Sequence, residues 1–318
     1  MSHISTVAQS LSPWRAQPDL RLAAAITRAA SQQAYFTVRF LVDRDLVPDA
    51  YRAYAYFRWV DDQLDQGGME TGDRLDFVNR QKALSERCYR DERPGQVSAE
   101  ENLLLELVQG DREKDSGLQV YIRSMLRVMA FDASRRGRLI SQAELACYTR
   151  DLAAAVTEAL HYFIGHGDKS PRDERRYLAA SAAHIIHMLR DTFDDVQAGY
   201  FNIPREYLQA QDIEPHQVWS DPYRRWVQSR VEMARAYFQA GRSYLAQVEN
   251  PRCRLAGLAY IARFGITMEA IEQDGYRLRA GYPERKSLRA GLRICQAALA
   301  PAYLGRQPRD ISDKLTAR

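Results

Sequence analysis

The spacing of apolar residues constrains the fold of this chain most strongly. They recur at intervals of three and four residues through almost all of the 318 residues, and strand-like alternation is scarce. The pattern predicts an all-α fold. The predicted helices cover residues 19–42, 49–66, 71–91, 98–109, 117–134, 141–165, 172–199, 221–246, 252–279 and 286–302.

No Ser/Gly/Pro-rich linker and no change of composition divides the chain. We therefore expect a single all-helical domain over residues 1–318, with a core of about residues 20–302 and a C-terminal tail over 303–318. Two domains are the alternative.

Charge and cysteine usage exclude several classes of protein. The net charge is +4, but basic and acidic residues alternate along the chain, which is typical of solvated helix faces and argues against nucleic-acid binding. The four cysteines are far apart and form no CxxC pair, which argues against a zinc ribbon or a disulfide scaffold and suits a reducing cytoplasm. The N-terminus lacks the basic start and following apolar run of a signal peptide, so none is expected. No apolar stretch reaches the length of about 20 residues that a membrane span needs. We expect a cytoplasmic protein, either soluble or peripherally attached to a membrane.

A polar stripe lies on the predicted helix over 172–199, in the sequence HIIHMLRDTFDD. At about 100° per residue, His184, His187, Asp191 and Asp195 fall within an arc of about 80°. Arg190 points away from this arc. The rest of the helix is apolar, and an unpaired carboxylate on a packed face costs several kcal/mol. We therefore expect a cation to face the stripe.

A second stripe lies in YAYFRWVDDQLDQ, residues 54–66. Tyr54, Arg58, Asp61 and Asp65 fall within about 60° of one another by the same arithmetic. Each stripe contains an Asp-x-x-x-Asp pair, with its carboxylates about 6 Å apart. Such pairs suit Mg²⁺, which binds to one or two carboxylates together with substrate phosphates.

Two other interpretations of these stripes stay open at this point. One Asp-x-x-x-Asp pair on a helix is commonly a solvated face. The spacing of His184, His187 and Asp191 could also ligate zinc or iron inside a helical bundle.

The two stripes resemble the aspartate motifs of the squalene/phytoene synthase family, the trans-isoprenyl diphosphate synthases that join prenyl chains head to head. YAYFRWVDDQLD resembles the first motif, and HMLRDTFDD followed by GYFNIPREYL resembles the second. ELACYTRDLAAAV at 144–156 and MEAIEQDGYRL at 268–278 are similar to two further family segments. The resemblance covers about residues 25–300.

The resemblance implies an isoprenoid-synthase fold, a helical bundle around a deep central cavity with the two motifs facing each other across its mouth. Asp61, Asp65, Asp191 and Asp195 would hold about three Mg²⁺ ions that bind diphosphate. The other residues that it places in the site are Arg58, Tyr54, Ser31, Tyr148, Arg190 and Phe264. The implied partners are prenyl diphosphates. Use of NADPH and the oligomeric state stay open.

This chain departs from the family pattern near the second motif. His184 and His187 stand where the family usually has Gln and Asn, Tyr200 stands where a basic residue is usual, and Phe264 stands where Tyr is common. His187 could accept a proton or donate to diphosphate, and His184 could bind substrate. Alternatively, both histidines are structural and hydrogen-bond to neighbouring helices.

The first hypothesis is therefore a Mg²⁺-dependent prenyltransferase that condenses two farnesyl or geranylgeranyl diphosphates head to head into a squalene- or phytoene-type product. The second keeps the ionisation site but prenylates a non-isoprenoid acceptor such as an aromatic ring, or cyclises one prenyl diphosphate. The histidines favour the second hypothesis, and the paired motifs favour the first. A third hypothesis, of another class, is an inactive helical binding protein.

Overall fold

Short polar side chains set the starts of several helices. Ser98 accepts a hydrogen bond from the backbone N–H of Glu101, whose carboxylate accepts one from the N–H of Ser98, so the two form a capping box. Ser220 and Asn250 cap helices that have proline in their first turn. Each such cap is worth about 1 kcal/mol.

The computed structural model describes residues 18–65, 69–92, 95–111 and 113–299. These residues form thirteen α-helices and no strand, so the all-α prediction is confirmed. The helices are α1 Pro18–Ala30, α2 Gln32–Leu41, α3 Val47–Leu64, α4 Thr71–Tyr89, α5 Ala99–Gly110, α6 Gly117–Arg135, α7 Gln142–Phe163, α8 Arg175–Arg190, α9 Thr192–Ala198, α10 Arg205–Gln211, α11 Asp221–Leu245, α12 Pro251–Gln273 and α13 Leu288–Leu299.

The backbone contacts divide the chain into two compact units. Unit 1 comprises residues 1–136 and 154–167, and unit 2 comprises residues 137–153 and 168–318. The single-domain arrangement stays a prediction. The described residues do not include the predicted tail over 303–318. They also do not include most of the N-terminal segment in which no signal peptide is expected.

A buried polar network holds α3 in unit 1. The phenol of Tyr56 on α3 donates to Oε1 of Gln81 on α4 over 3.1 Å, and Nε2 of Gln81 donates to Glu101 on α5 over 3.0 Å. Arg80 donates to both oxygens of Glu101 over 2.9 and 3.0 Å. Tyr56 and Gln81 are fully buried, so the network fixes the position of α3, the helix that carries the first aspartate motif.

Helices α8 and α11 form the most extensive helix–helix packing in unit 2. Gly241 on α11 allows this approach, because a Cβ at that position would lie 2.7 Å from Cβ of Ala179 and 3.1 Å from its backbone nitrogen. Helix α12 packs against α8 and α13. Unit 2 thus holds α8, the helix that ends at the second aspartate motif, through a close backbone contact.

Three predicted helix boundaries are wrong. The helix predicted over 19–42 ends at Ala30, and Ser31 caps a new helix by accepting a hydrogen bond of 3.1 Å from the N–H of Ala34. The helix predicted over 172–199 is interrupted at Asp191. The helix predicted over 252–279 ends at Gln273, because Gly275 and Tyr276 adopt positive φ. Helix α10 was not predicted.

In the described part of the chain, no helix is both long and apolar enough to cross a membrane.

Candidate active site

The first aspartate motif lies in the last two turns of α3. Arg58 is exposed, and its guanidinium donates to Oδ2 of Asp61 over 3.2 Å and to both carboxylate oxygens of Asp62. The helical arithmetic left Asp62 beside the stripe, but Arg58 reaches both carboxylates. Asp65 is the residue that follows α3 and is exposed.

The carboxyl group of Asp61 is electrostatically frustrated. Burial raises its pKa, and the neighbouring charge of Asp65 raises it further, to about 6 despite the opposing charge of Arg58. Asp62 and Asp132, the latter on α6, add to the repulsion. Arg58 alone therefore does not neutralise this cluster, and a cation bound there would be stabilised.

Tyr54 and Ser31 also lie in unit 1. Tyr54 is half-buried one turn before Arg58, and its phenol interacts electrostatically with Arg58 and with Tyr121 of α6. Ser31 is half-buried, and its hydroxyl is used as the cap of α2. Binding of diphosphate by either side chain stays a prediction.

The second aspartate motif lies at the junction between α8 and α9. Nε2 of His187 lies 2.9 Å from Oδ2 of Asp191, and Nε of Arg190 donates to Oδ1 of the same carboxylate over 2.5 Å. The second nitrogen of the Arg190 guanidinium also donates to Asp191. The expectation that Arg190 points away from the stripe is wrong, because α8 ends at Arg190 and the backbone turn at Asp191 brings the two side chains together.

These contacts keep Asp191 ionised. Burial alone would raise the pKa of Asp191, but hydrogen bonds from Arg190 and His187 outweigh burial and hold the pKa well below its usual range. The cation that the sequence predicted opposite this stripe is therefore supplied in part by the neighbouring Arg190.

Asp195 is held by a residue that the sequence analysis missed. Nδ2 of Asn202, a buried side chain, donates to Oδ2 of Asp195 over 2.7 Å. The backbone N–H of Asp195 donates to the carbonyl of Asp191 over 2.8 Å, so both aspartates keep helical spacing across the break. Gly199, with φ of 85°, ends α9 and turns the chain toward Asn202.

A row of rings leads away from the second motif. The ring of Tyr148 lies edge-on to the ring of His184 at 5.1 Å, and His184 lies 6.5 Å from His187. Phe264 of α12 lies 6.1 Å from His187 and packs edge-on against Tyr260. The structure thus brings Tyr148, both histidines and Phe264 together in unit 2, and their binding of substrate stays a prediction.

Arg263 is a second residue that the sequence analysis missed. It lies half-buried beside Phe264, with its guanidinium carbon 5.5 Å from the ring centroid. Burial lowers the pKa of Arg263, and the charges of Arg190 and Arg285 lower it further. Arg263 is therefore repelled both by Arg190, which binds Asp191, and by Arg285, and a polyanion beside Arg263 would relieve this repulsion.

The four predicted metal ligands fall into two pairs, Asp61 with Asp65 in unit 1 and Asp191 with Asp195 in unit 2. Nowhere in the described ranges do three His, Cys, Asp or Glu side chains meet as a metal site. The interpretation of His184, His187 and Asp191 as a zinc or iron site therefore finds no support in the described part of the chain. Pairs of carboxylates do fit Mg²⁺, which takes few protein ligands and completes its shell with water and phosphate.

Solved structures resemble this fold. The squalene synthase HpnC from Alicyclobacillus acidocaldarius matches with a TM-score of 0.65 and 21% identity, over 84% of this chain and 98% of that one. A dehydrosqualene synthase solved with a ligand matches with a TM-score of 0.65 and 14% identity, over 90% and 96% of the two chains. TcSQS in complex with the ligand BPH1237 matches with a TM-score of 0.62 and 16% identity, over 92% and 94%. These likenesses define the class as an all-helical prenyl-synthase fold.

The family follows from the sequence profile. The profile of squalene/phytoene synthase matches residues 8–291, which is most of the chain. No curated protein matches the sequence significantly. The chain belongs to the squalene/phytoene synthase family and is a prenyltransferase. The hypothesis of an inactive binding protein is set aside on that ground.

Proposed function

We propose that this prenyltransferase is Mg²⁺-dependent and condenses two farnesyl or geranylgeranyl diphosphates head to head. The observation that carries the proposal is the frustrated carboxyl group of Asp61. It is half-buried beside Asp65, and its pKa is raised to about 6 although Arg58 lies 3.2 Å away. A divalent cation relieves this repulsion, and prenyl diphosphate brings the phosphate oxygens that complete such a site.

The chain's own residues would neutralise the leaving group. Breaking an allylic C–O bond places extra negative charge on diphosphate. Arg58 in the first motif, and Arg190 with Arg263 near the second, carry fixed positive charge that stabilises diphosphate as that charge develops. Bound Mg²⁺ would supply Lewis-acid stabilisation of the same oxygens, with Asp61, Asp65, Asp191 and Asp195 as its protein ligands.

The rings near the second motif would protect the other product of ionisation. An allylic carbocation reacts rapidly with water, so it needs apolar surroundings. Tyr148 and Phe264 are both at most 9% exposed and offer aromatic faces, on which a cation is stabilised. We propose that they line the region where the prenyl chains meet.

A second candidate function rests on the residues around the second motif. His184 and His187 replace the family's usual Gln and Asn, and Tyr200 replaces its usual basic residue. An imidazole beside the ionisation site could remove a proton from an acceptor or from a cyclising cation. The alternative is therefore prenylation of a non-isoprenoid acceptor, or cyclisation of one prenyl diphosphate.

Product analysis distinguishes these functions. The protein is incubated with farnesyl or geranylgeranyl diphosphate and Mg²⁺, with and without NADPH, and the organic extract is analysed by mass spectrometry. A C30 or C40 hydrocarbon supports head-to-head condensation, and a change in its hydrogen content with NADPH assigns the reductive step. A shorter cyclic product, or a prenylated acceptor alone, supports the second function. Absence of diphosphate release contradicts both.

Peripheral membrane association stays a prediction, as does a cytoplasmic location. A hydrocarbon product partitions into lipid, which favours an enzyme that contacts the bilayer. Phe36 and Phe40 on α2 are 49% and 67% exposed and stack with their centroids 6.0 Å apart. Co-sedimentation with lipid vesicles, compared between the natural chain and a Phe36→Ser, Phe40→Ser double variant, tests this expectation.

A further inference from the structure

Unit 2 contains a cavity that the predicted chemistry does not use. The first half of α7, together with α8, the start of α10 and α11, forms a half-open cavity of about 560 Å³. This volume lies within the range of about 300–1,000 Å³ that is typical of small-molecule sites.

The cavity lies on a different face of α8 from the second aspartate motif. Leu178, Ser181 and Ile185 line it. At about 100° per residue these positions lie roughly 120° around the helix from His184, His187 and Asp191. None of the residues assigned above to the candidate active site lines this cavity.

The wall of the cavity is mainly apolar. Ile185 and Trp226 are 2% and 6% exposed, and each contributes an apolar surface to it. Met233 of α11 also lines the cavity and is 39% exposed. An apolar wall of this kind favours a hydrocarbon chain, because contact with it removes apolar surface from water.

Two arginines and one glutamate supply the formal charge of the wall. Arg230 is half-buried, and Arg150 and Glu174 are exposed. The side chain of Arg230 donates from Nη1 to the thioether of Met233 over 3.4 Å, and no carboxylate in the described part of the chain forms an ion pair with it. Burial lowers the pKa of Arg230. A partly buried guanidinium without an anionic partner is costly, so an anion in the cavity would be stabilised.

We propose that this cavity binds a single-chain amphipathic carboxylate, with its apolar chain against Ile185 and Trp226 and its head group on Arg230. The planar guanidinium fork matches the two oxygens of a carboxylate. The three charged side chains give the wall a net charge of +1, which one carboxylate balances. A diphosphate would exceed that charge, so this site differs in ligand class from the candidate active site.

Isothermal titration calorimetry of the full chain with decanoate, and with decanol as the uncharged ligand of equal chain length, tests the proposal. Arg230→Met removes the charge and keeps much of the apolar bulk. Ala146→Trp, at an exposed position of the wall, fills the cavity from its rim. Arg242→Met is the matched control, since Arg242 is exposed on the same helix and does not line the cavity.

The expected result is one decanoate site per chain that is stronger than any decanol site. Arg230→Met should weaken decanoate binding about tenfold or more, because a charge-assisted hydrogen bond is lost. Ala146→Trp should abolish binding, and Arg242→Met should leave it unchanged. Three results would each overturn the proposal: no decanoate binding by the natural chain, equal binding of decanol, or undiminished decanoate binding in both cavity variants.

Discussion

Nε2 of His187 lies 2.9 Å from Oδ2 of Asp191, one helical turn further along the chain. The contact makes His187 a positioning residue for a carboxylate that is proposed to bind metal. A histidine that donates to a ligating carboxylate fixes its orientation, and loss of such a partner typically costs about 10–100-fold in metal affinity or activity.

The contact predicts different outcomes for two substitutions at the same position. His187→Ala removes the donor and should lower Mg²⁺-dependent diphosphate release about tenfold, with a higher Mg²⁺ requirement. His187→Asn keeps an N–H donor and should retain most of the activity. Steady-state assays over a Mg²⁺ titration measure both effects, with His216→Ala as the exposed control. An alanine variant with natural Mg²⁺ dependence would contradict the positioning role.

Arg263 is expected to lower the stability of the fold and to strengthen binding of the substrate. It is half-buried and repelled by Arg190 and Arg285, so Arg263→Gln should raise the melting temperature. The same substitution removes a positive charge that interacts with Arg190, the residue bound to Asp191, and should raise KM for prenyl diphosphate about tenfold. Calorimetry and steady-state kinetics measure the two effects. Arg277→Gln, at an exposed position, serves as the control. A lower melting temperature together with an unchanged KM would refute this account of Arg263.

The network behind α3 predicts a pH-dependent stability. Hydrogen bonds from Arg80, Ser98 and Gln81 lower the pKa of Glu101 from 4.5 to about 2. A lowered pKa in the folded state means that the stabilisation is complete above the unfolded-state pKa of about 4.5 and is lost as pH falls toward about 2. Glu101→Gln should therefore destabilise the fold by about 1–3 kcal/mol at neutral pH.

The difference in unfolding free energy between Glu101→Gln and the natural chain should shrink as pH falls through that window. Denaturant unfolding at a series of pH values measures it. Glu100→Gln, the neighbouring residue in the same first turn, should show little pH-dependent difference. A difference for Glu101→Gln that is constant from neutral pH to about pH 3 would count against the network.

The close approach of α8 and α11 predicts a steric effect. A Cβ at Gly241 would lie 2.7 Å from Cβ of Ala179 and 3.1 Å from its backbone nitrogen, so Gly241→Ala forces the helices apart. We expect a loss of about 1–3 kcal/mol in unfolding free energy. Gly291→Ala is the matched control, because a Cβ there would meet nothing within 4 Å. That control should stabilise α13 by up to about 1 kcal/mol, and equal effects of the two substitutions would contradict the packing argument.

The helices were largely predictable because apolar periodicity and helix caps both depend on residues that are close together in the sequence. The helix predicted over 221–246 runs over Asp221–Leu245, and its start is marked by Ser220 and Pro222. The two breaks at Ser31 and Asp191 were not predictable, since apolar spacing continues across both. They depend on how the backbone turns after the helix ends, which periodicity does not encode.

The candidate site was predictable where its residues lie on one helix. Arg58, Asp61 and Asp65 follow helical spacing, and the contact between His187 and Asp191 is a contact between residues four apart. Asn202 and Arg263 were missed because their roles depend on tertiary contacts. A lone cation in the apolar stretch YIARFGIT was the available signal for Arg263.

If both aspartate motifs act on the diphosphate of the substrate, each motif should be needed for its release. The most direct measurement is Mg²⁺-dependent release of inorganic diphosphate from farnesyl and geranylgeranyl diphosphate by Asp61→Asn and Asp191→Asn. Asp194→Asn, at an exposed position on α9, is the control. Each of the first two substitutions should lower release by at least about 100-fold with thermal unfolding little changed, while the control should remain active. Release at the natural rate in either motif variant, in a chain that is still folded, would contradict that role of the motifs.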